Sequence, residues 1–491
     1  MKKIFSIMII MMLLVSLYTV SGSAAVPETP VIAYEEALDT LNDEYGAAEA
    51  DYETGLFDTN RVHTIDVRIA ESDWQDLLTH PEEKTKYKAD IVIDGESVEQ
   101  VSFSAKGNSS LAIVKYSGSS TRYSFKLNFG KGIKGQTFHG LDKLNLQNCF
   151  GDASYMKEYL SYWLFRQMGV PAPLAAYGFL SINGEAQGLY VLVEEVDRSF
   201  MNRSLDGTGA LYKPSWPEHP LDEERLREIK SGIVMEVSGA HGADLVYTDD
   251  KAESYPDIFD HAVTKRDPES EQRVIHALKE LSEGKDPGAV LDTDEIIRYF
   301  AVHNVLMNYD SYTGQMLHNY YLYDSSETLQ FLPWDYNLGF GTFPLDAIIG
   351  NVNNPDLVVN QGIDTPLVRT SLKERPMWNW IVSDETYLAR YHEAMEQLIT
   401  DQFESGAFFQ EADRVQKLIT PYIEQDPTAF YTPEEAEKAC ETLKDLSALR
   451  AESIRRQLNG TLAADTDLQD PTARVDASGI DLLSLGSFEV N

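Results

Sequence analysis

Asp310, Asn319 and Asp335 lie within residues 308–341 of the sequence and are candidates for chemistry. Asp310 and Asn319 lie in a polar, Gly-containing segment, and Asp335 follows a run rich in aromatic residues. Hard divalent cations such as Mg²⁺ take carboxylate and carbonyl oxygens as ligands, so these three side chains can hold metal ions against a triphosphate. Asp and Asn are also ordinary turn residues, and the spacing alone favours that structural role.

Short elements on both sides are predicted to position these residues. Apolar residues at helical spacing over residues 292–307 predict a helix that runs directly into Asp310. Aromatic-rich runs at residues 319–323 and 328–332 predict two strands. Asp335 is then expected at the exit of the second strand.

The composition is that of a large, folded, acidic protein. Its 491 residues suffice for two or three domains, or for one two-lobed enzyme with a large core. The 43% of hydrophobic and 11% of aromatic residues indicate a folded body. The formal charge of −38 argues against nucleic acid or an anionic membrane surface as a partner. It fits a protein outside the cell, or one that acts on a basic protein substrate.

The two ends of the chain differ in character from the body. Two lysines, an apolar run and a small-residue segment predict a signal peptide over residues 1–25, and hence a secreted or cell-surface protein. The apolar run approaches bilayer-spanning length, so a retained membrane anchor is the alternative. Residues 26–60 are predicted to form an acidic linker, and residues 460–491 an acidic, disordered tail.

Cys149 and Cys440 are the two cysteines of the chain. Two cysteines in a chain of this length do not form a disulfide scaffold of the kind found in small secreted domains. A single bridge between them and two separate buried thiols are both compatible with the sequence.

Residues 61–197 are predicted to be rich in strands. The dipeptide Asp94-Gly95 between two alternating runs predicts a β-hairpin over residues 88–105. Further strands are predicted at residues 61–70, 122–129, 175–182 and 189–194, and helices at residues 72–80, capped by Ser72, and 152–168, capped by Asp152.

Several polar residues of this part are candidates for binding phosphate. The small polar loop KGNSS contains Asn108 and Ser109, and backbone N–H groups of such a loop can bind phosphate oxygens. A plain surface loop is the simpler explanation. Arg122 and Lys126 share one face of their predicted strand, and Glu158 lies beside the apolar stripe of the helix that follows.

Residues 361–459 are predicted to be mainly helical. A charged, weakly patterned insertion covers residues 214–292 and either shapes access to a site or merely connects two elements. Helices are predicted at residues 221–231, 269–283, 384–400, 408–424 and 433–457.

The order of hairpin, basic strand, helix with an inward Glu, two strands and connector is that of a protein-kinase amino-terminal lobe. Within residues 61–342 this order is accompanied by the motifs KGNSS, RYSFKLNF, MKEYLSYWLFRQMGVPAP, INGEAQGLYVLVEEVD, GALYK, HNYYLYD and FLPWDYNLGFG. Together these motifs resemble the spore coat protein H (CotH) family of atypical secreted protein kinases. The resemblance implies an α+β, divergent two-lobed kinase-like fold. Its β-rich N-lobe, with one helix, is expected at residues 61–197 and its α-rich C-lobe at residues 198–459.

The resemblance also implies a chemistry. ATP and Mg²⁺ or Mn²⁺ are the expected cofactors, and the expected reaction transfers the ATP γ-phosphate to Ser or Thr of secreted or spore-coat proteins. Asp310 looks like the catalytic aspartate that accepts the proton of the substrate hydroxyl, and Asp335 and Asn319 look like metal ligands. The expected partner is a Ser-rich, basic protein, and the spore coat is a possible location.

The residues that contact the nucleotide are less well defined by the resemblance. Lys126 paired with Glu158 is the expected phosphate-binding pair, with Arg122 and Lys213 as alternatives for the basic role. Asn108 and Ser109 are expected near the phosphates, and Glu195 opens the connector that would meet the adenine.

The sequence departs from the typical kinase pattern in three ways. Asn319 follows Asp310 by nine residues, whereas the kinase amide follows its aspartate by five. Asn308 or His318 can therefore be involved instead. Asn308-Tyr309 precedes Asp310 where a kinase has His-Arg, and the tripeptide WDY replaces DFG around Asp335. Both carboxylates are retained, but a pseudokinase remains open.

Two other functions are compatible with these residues. A non-catalytic coat or surface-adhesion protein would use the kinase scaffold for binding alone. A carbohydrate-active enzyme would use Asp310 and Asp335 as paired acids on either side of a sugar.

Overall fold

The computed structural model of the protein describes residues 52–215, 241–343 and 354–486. These residues form an α+β fold with ten strands and twelve helices. The predicted signal peptide, most of the predicted linker and the helix predicted at residues 221–231 lie outside the described residues. None of the helices that the structure describes is both long and apolar enough to cross a membrane.

Seven strands from the first part of the chain close into a barrel. Neighbouring strands follow the order β1-β2-β3-β4-β5-β7-β6. The barrel closes where β1 pairs in parallel with β6, with Val62 opposite Tyr177, and the other pairs are antiparallel. The strands are β1 (Val62–Ile69), β2 (Tyr87–Ile93), β3 (Glu96–Lys106), β4 (Ser124–Asn128), β5 (Lys143–Gln147), β6 (Ala175–Ile182) and β7 (Glu185–Glu194).

The predicted hairpin between β2 and β3 is confirmed. Its turn residues Asp94 and Gly95 both have positive φ, 49° and 91°, as a two-residue hairpin turn requires. The β6–β7 hairpin has the same chemistry, with Asn183 at φ 51° and Gly184 at φ 82°. Strand β5 was not predicted, because its five residues KLNLQ give too short an alternation to be distinguished from a loop.

Three helices accompany the barrel strands, where the resemblance implied one. They are α1 (Glu71–Thr79), α2 (Ser109–Ser117) and α3 (Lys157–Gln167). The loop predicted around KGNSS is therefore helical from Ser109 onward, and this prediction was wrong because Leu111, Ala112, Ile113 and Val114 pack inward. The predicted Ser72 cap is also absent, since α1 begins at Glu71.

A small sheet and one long helix lie next to the candidate site residues. The antiparallel sheet has the order β10-β9-β8, formed by β8 (Ala210–Tyr212), β9 (Tyr320–Asp324) and β10 (Leu329–Pro333). Helix α4 (Arg198–Ser204) follows the barrel. Helix α7 (Thr293–Leu306) follows its N-cap residue Asp292, whose side chain accepts the N–H of Glu295. The helices between them are α5 (Pro256–Phe259) and α6 (Pro268–Ser282).

The remaining described chain is mainly helical, and one of its helices, Glu385–Leu398, packs on α7. Its helices are α8 (Pro355–Asn360), α9 (Pro376–Ser383), α10 (Glu385–Leu398), α11 (Ala407–Ile423) and α12 (Pro433–Leu458). The buried apolar residues form two clusters. One fills the barrel, and the larger one joins α3, α7, the small sheet and the helices that follow.

The structure corrects the predicted domain ends. Leu482 and Leu485 are buried against the larger cluster, and the N–H of Ala153 donates to the Leu485 carbonyl, so residues 461–486 are packed rather than disordered. Tyr52 and Phe57, at the end of the predicted linker, are buried in the barrel cluster. Cys149 and Cys440 are both buried and free, so the disulfide alternative is excluded.

Candidate active site

The two aspartates lie on segments that a buried asparagine joins. Helix α7 ends at Met307, whose φ of 50° turns the chain away from the helix axis. The next residue, Asn308, is fully buried, and its Nδ2 donates to the Asp335 carbonyl at 3.1 Å. Its Oδ1 accepts the N–H of Asp310 at 3.2 Å. The structure therefore brings Asp310 and Asp335 together through one side chain.

Asn319 also belongs to this group. Its Nδ2 donates to Asp310 Oδ2 at 2.9 Å, and its carbonyl accepts the N–H of Trp334 at 3.2 Å. Asn319 and Asp335 both have left-handed backbone conformations, with φ of 60° and 57°. Asn and Asp are the non-glycine residues that tolerate this region best, which explains their presence at these two turns.

Helix α3 reaches the same group through Glu158. The N–H of Asp335 donates to the Tyr162 hydroxyl at 3.0 Å, and this hydroxyl donates to Glu158 Oε1 at 3.1 Å. Glu158 and Tyr162 are one helical turn apart, so both lie on the same face of α3. Burial, together with the negative charge of Asp335, raises the pKa of Glu158 to about 8. The inward Glu expected from the sequence is therefore next to the metal-binding candidate.

A half-buried lysine that the sequence analysis did not single out faces Glu158. Lys106, the last residue of β3, donates through Nζ to Gln147 Oε1 at 2.9 Å. Gln147 in turn donates through Nε2 to Glu158 Oε1 at 3.3 Å. Burial lowers the pKa of Lys106, while the charges of Asp335 and Glu158 act in the opposite direction. Lys106 is thus the cation that interacts with both acids.

Lys126 has a different partner from the one predicted. Its Nζ lies 2.8 Å from Glu195 Oε1, so the expected ion pair with Glu158 is not formed. Asn145 donates to the other oxygen of Glu195 at 2.7 Å. Although burial acts against it, the charges of Lys126 and Lys213 lower the pKa of Glu195 to about 2. Glu195, predicted near the nucleotide, is thereby an ionised carboxylate among lysines.

Lys213 and Trp334 complete the group. Lys213 Nζ lies 5.1 Å from the centre of the Trp334 ring and 5.5 Å from that of Tyr321. Lys106 Nζ lies 5.5 Å from the same Trp334 ring. Burial lowers the pKa of Lys213 to about 8, although the charge of Glu195 opposes this shift. Two lysines from distant parts of the chain therefore contact the residue that precedes Asp335.

Arg122 is not part of this site, which contradicts its prediction as a phosphate ligand. It is 1% exposed and precedes β4 rather than forming part of it. Its guanidinium donates to Asp426 at 2.9 Å and to the carbonyls of Asn148 and Gln187 at 3.0 Å. The charge and the hydrogen bonds of Arg122 are therefore taken up by structural contacts within the protein.

Asn108 and Ser109 lie at the beginning of α2 and are exposed. Asn108 Oδ1 accepts a hydrogen bond from Lys84 Nζ. Both residues follow Lys106 directly in the chain, so their expected position near a phosphate stays a prediction.

A comparison with known proteins identifies the family of this chain. The family model described as CotH kinase protein matches residues 103–454, which is more than half of the chain and includes the lysines and acids above. The chain belongs to the CotH kinase protein family. It is 24% identical over 382 residues to inner spore coat protein H of Bacillus subtilis (strain 168), which covers 76% of this chain and 94% of that relative. It is 49% identical over 43 residues to an inner spore coat protein H-like protein of the same organism, over 9% of this chain and 14% of that relative.

The donor groups of this CotH-family chain fit a nucleotide with a divalent cation. Carboxylate and amide oxygens are the ligands that such a cation prefers. The Asp310 carboxylate is bonded to the Asn319 amide, and Asn308 joins the backbone of this segment to that of Asp335. Among the described residues there is no group of three or more His, Cys, Asp or Glu side chains that could hold a metal ion by itself. The three lysines supply positive charge next to these acids.

The residues missed from the sequence carried weak local signals. The sequence pattern puts Lys106 in a polar loop, although it directly follows the predicted strand that ends at Ala105. Gln147 belongs to the unpredicted strand β5. The sequence offers Asn308 only as a substitute for Asn319, because nothing in it shows that both amide atoms of Asn308 bind the backbones of two separate segments.

Proposed function

We propose that this CotH-family protein is a protein kinase that transfers the γ-phosphate of ATP to Ser or Thr of other proteins. One observation carries the proposal: Asp310 and Asp335 are joined through Asn308, next to a group that contains Lys106 and Glu158. Acids for a metal and a general base, with cations for phosphate oxygens, are the parts that phosphoryl transfer needs.

The architecture supports a two-lobed, kinase-like interpretation. The barrel has its own apolar cluster, and a second cluster contains α7, the small sheet and the later helices. In protein kinases the phosphate-binding lysine is on the strand before the Glu-bearing helix. Here that strand is β5, whose Lys143 pairs with Asp197. In this proposal Lys106, on β3, takes the role of that lysine and reaches Glu158 through Gln147.

The mechanism assigns a role to each side chain. Asp310 accepts the proton of the substrate hydroxyl and orients the oxygen towards the γ-phosphate. Asp335 and Asn319 would hold the metal ion, which supplies neutralisation of the charge on the phosphate oxygens. Lys106 and Lys126 stabilise negative charge on the phosphates, with Glu195 holding Lys126 in place. Transfer is direct, so positioning and electrostatics account for catalysis without a covalent enzyme intermediate.

The charge of the chain and the descriptions of its relatives support a proposal for the substrate and the location. The chain carries a formal charge of −38, which attracts basic proteins. The matched relatives are described as inner spore coat proteins. We therefore place the protein with a spore coat or another exported protein layer, where it acts on a Ser-rich, basic partner.

The proposal is tested by incubating the full chain with labelled ATP, Mn²⁺ or Mg²⁺ and a panel of basic, Ser-rich proteins. Metal-dependent labelling of a panel member is expected for the wild type, and its loss for Asp335→Ala. Equal labelling by Asp335→Ala would exclude the assigned metal site. Absence of labelling with both metals would favour a non-catalytic binding protein.

A further inference from the structure

Helix α7 presents a buried histidine to both acid-bearing segments. His303 has no exposed surface. Its Nδ1 lies 2.7 Å from the Tyr336 hydroxyl and its Nε2 lies 2.7 Å from Thr313 Oγ1. Tyr336 is the residue after Asp335, and Thr313 follows Asp310 by three residues. One side chain on a rigid helix therefore contacts both segments.

The surroundings keep the imidazole neutral and oriented. Both of its partners are hydroxyl groups, and burial lowers the pKa of His303 to about 3. A neutral imidazole has one donor and one acceptor nitrogen, which suits one hydroxyl on each side. The ring also stacks on Tyr299, with ring centres 5.6 Å apart and planes 11° apart. The Tyr299 hydroxyl lies 3.4 Å from that of Tyr336, which fixes Tyr336 from a second direction.

The next residue on the same helix provides a contrast. Asn304 donates to the Tyr391 hydroxyl at 3.0 Å, and that hydroxyl donates to the carbonyl of Ile363. These contacts join α7 to α10 and to residues after the small sheet. They stabilise the helical part without contacting either acid-bearing segment, so Tyr391 provides a matched control.

We propose that His303 is a positioning residue for phosphoryl transfer, which fixes the Asp310 segment relative to the Asp335 segment through Thr313 and Tyr336. The inference rests on the proposed function. Asn308 hydrogen-bonds to the backbones of both segments. His303, on helix α7, hydrogen-bonds to one side chain of each segment. Phosphoryl transfer requires a fixed distance between the base Asp310 and the metal ligand Asp335. Loss of the connection through His303 therefore lowers the rate even in a variant that still folds.

The test uses three variants and a matched control in the full chain. Tyr336→Phe and Thr313→Val each remove one hydroxyl, and His303→Phe removes both nitrogens while keeping a ring. The control, Tyr391→Phe, removes a buried hydroxyl bonded to the same helix. For each variant the melting temperature, the calorimetric affinity for Mn²⁺·ATP, and kcat and KM for a basic protein substrate are measured.

We expect kcat or Mn²⁺·ATP affinity to fall by about 10–100-fold in Tyr336→Phe and Thr313→Val, the usual cost of removing a residue that orients a metal site. KM for the protein substrate should be unchanged. Tyr391→Phe should lower the melting temperature as much as Tyr336→Phe and Thr313→Val do, but should keep the wild-type kcat. The double variant His303→Phe with Tyr336→Phe should lose less than the product of the two single losses, because both substitutions remove the connection through His303.

The outcomes separate this inference from the proposed function. A wild type that transfers phosphate, with both kcat and Mn²⁺·ATP affinity unchanged in Tyr336→Phe and Thr313→Val, would overturn the inference alone. A wild type that neither binds Mn²⁺·ATP nor transfers phosphate would overturn the proposed function and this role of His303 with it. If His303→Phe does not fold, the two hydroxyl variants still decide.

Discussion

Asp310 and Asp335 have different hydrogen-bond partners, so we expect them to have different roles in the reaction. Asp335 has the φ of 57° that turns it out of β10, and its backbone is held by Tyr162 and Asn308. Asp310 instead has its carboxylate bonded to Asn319. This fits a metal ligand at Asp335 and an oriented base at Asp310.

Conservative amide substitutions should show this separation. Asp335→Asn removes a charge from the metal site, so Mn²⁺·ATP binding and transfer should both be lost. Asp310→Asn removes the base, so binding should persist while kcat falls by about 10²–10⁴-fold. Calorimetry and initial rates measure the two quantities. Equal loss of binding in both variants would contradict the separate roles.

Lys106 should matter more than its exposure at the end of a strand indicates. Lys106→Met keeps the length of the side chain and removes the charge next to Asp335 and Glu158, so kcat/KM for ATP should fall by about 10²–10³-fold. Lys131→Met, at an exposed lysine of the same barrel, is the matched control and should change nothing. A Lys106→Met variant with wild-type kinetics would assign the phosphate contact to Lys126 or Lys213.

At the scale of elements, turns with strong local sequence signals could be predicted, whereas contacts between residues distant in sequence could not. Asp94-Gly95 and Asn183-Gly184 require positive φ at adjacent positions, which few other sequences satisfy, so both hairpins could be predicted. Helix α2 could not, because its apolar residues pack on a barrel that the sequence does not reveal. The partner of Lys126 was misassigned for the same reason: Glu195 is distant in sequence and lies next to Lys126 only after the barrel closes.

Arg122 illustrates how an apparent site residue proves to join two elements. It pairs with Asp426, after α11, and both side chains are fully buried. Arg122→Met should lower the free energy of unfolding by about 3–5 kcal/mol, because Asp426 is then left buried without its partner. Arg68→Met removes an exposed pair with Asp66 and should cost about 0–1 kcal/mol. Urea titrations compare them, and similar costs would argue against a structural role for Arg122.

The contact between α7 and β10 should make stability depend on pH. Glu295 is buried, its Oε2 accepts the N–H of Phe331 at 3.1 Å, and burial raises its pKa from 4.5 to about 8. The unfolded state releases this proton at lower pH than the folded state, so this group's contribution to stability falls as pH rises from 4.5 to 8.

Glu295→Gln should remove that dependence. Relative to the wild type, the variant should gain stability between about pH 5 and pH 8, by at most roughly 1.4 kcal/mol per pH unit. Urea titrations at several pH values measure this difference, with Glu385→Gln, at an exposed position of α10, as the control. Parallel pH profiles for wild type and Glu295→Gln would contradict the assigned pKa.

At the scale of the whole molecule, the α+β class and family membership followed from the order of elements, whereas the ends of the folded body did not. Composition indicated a disordered tail, but Leu482 and Leu485 are buried. A few apolar residues in an acidic segment are enough to pack when a helix offers a complementary surface. The site is formed by β3, β4, α3, α7 and the small sheet, which are distant in sequence, so only the complete fold brings its residues together.

The most direct test of this account is the mapping of phosphoserine by mass spectrometry on a basic, Ser-rich protein incubated with ATP, Mn²⁺ and the full chain. We predict phosphoserine with the wild type and none with Asp310→Asn or Asp335→Ala, although all three proteins are folded. Phosphoserine formed equally by Asp335→Ala, or none formed by a wild type that binds Mn²⁺·ATP, would contradict the claim that these two aspartates carry out phosphoryl transfer.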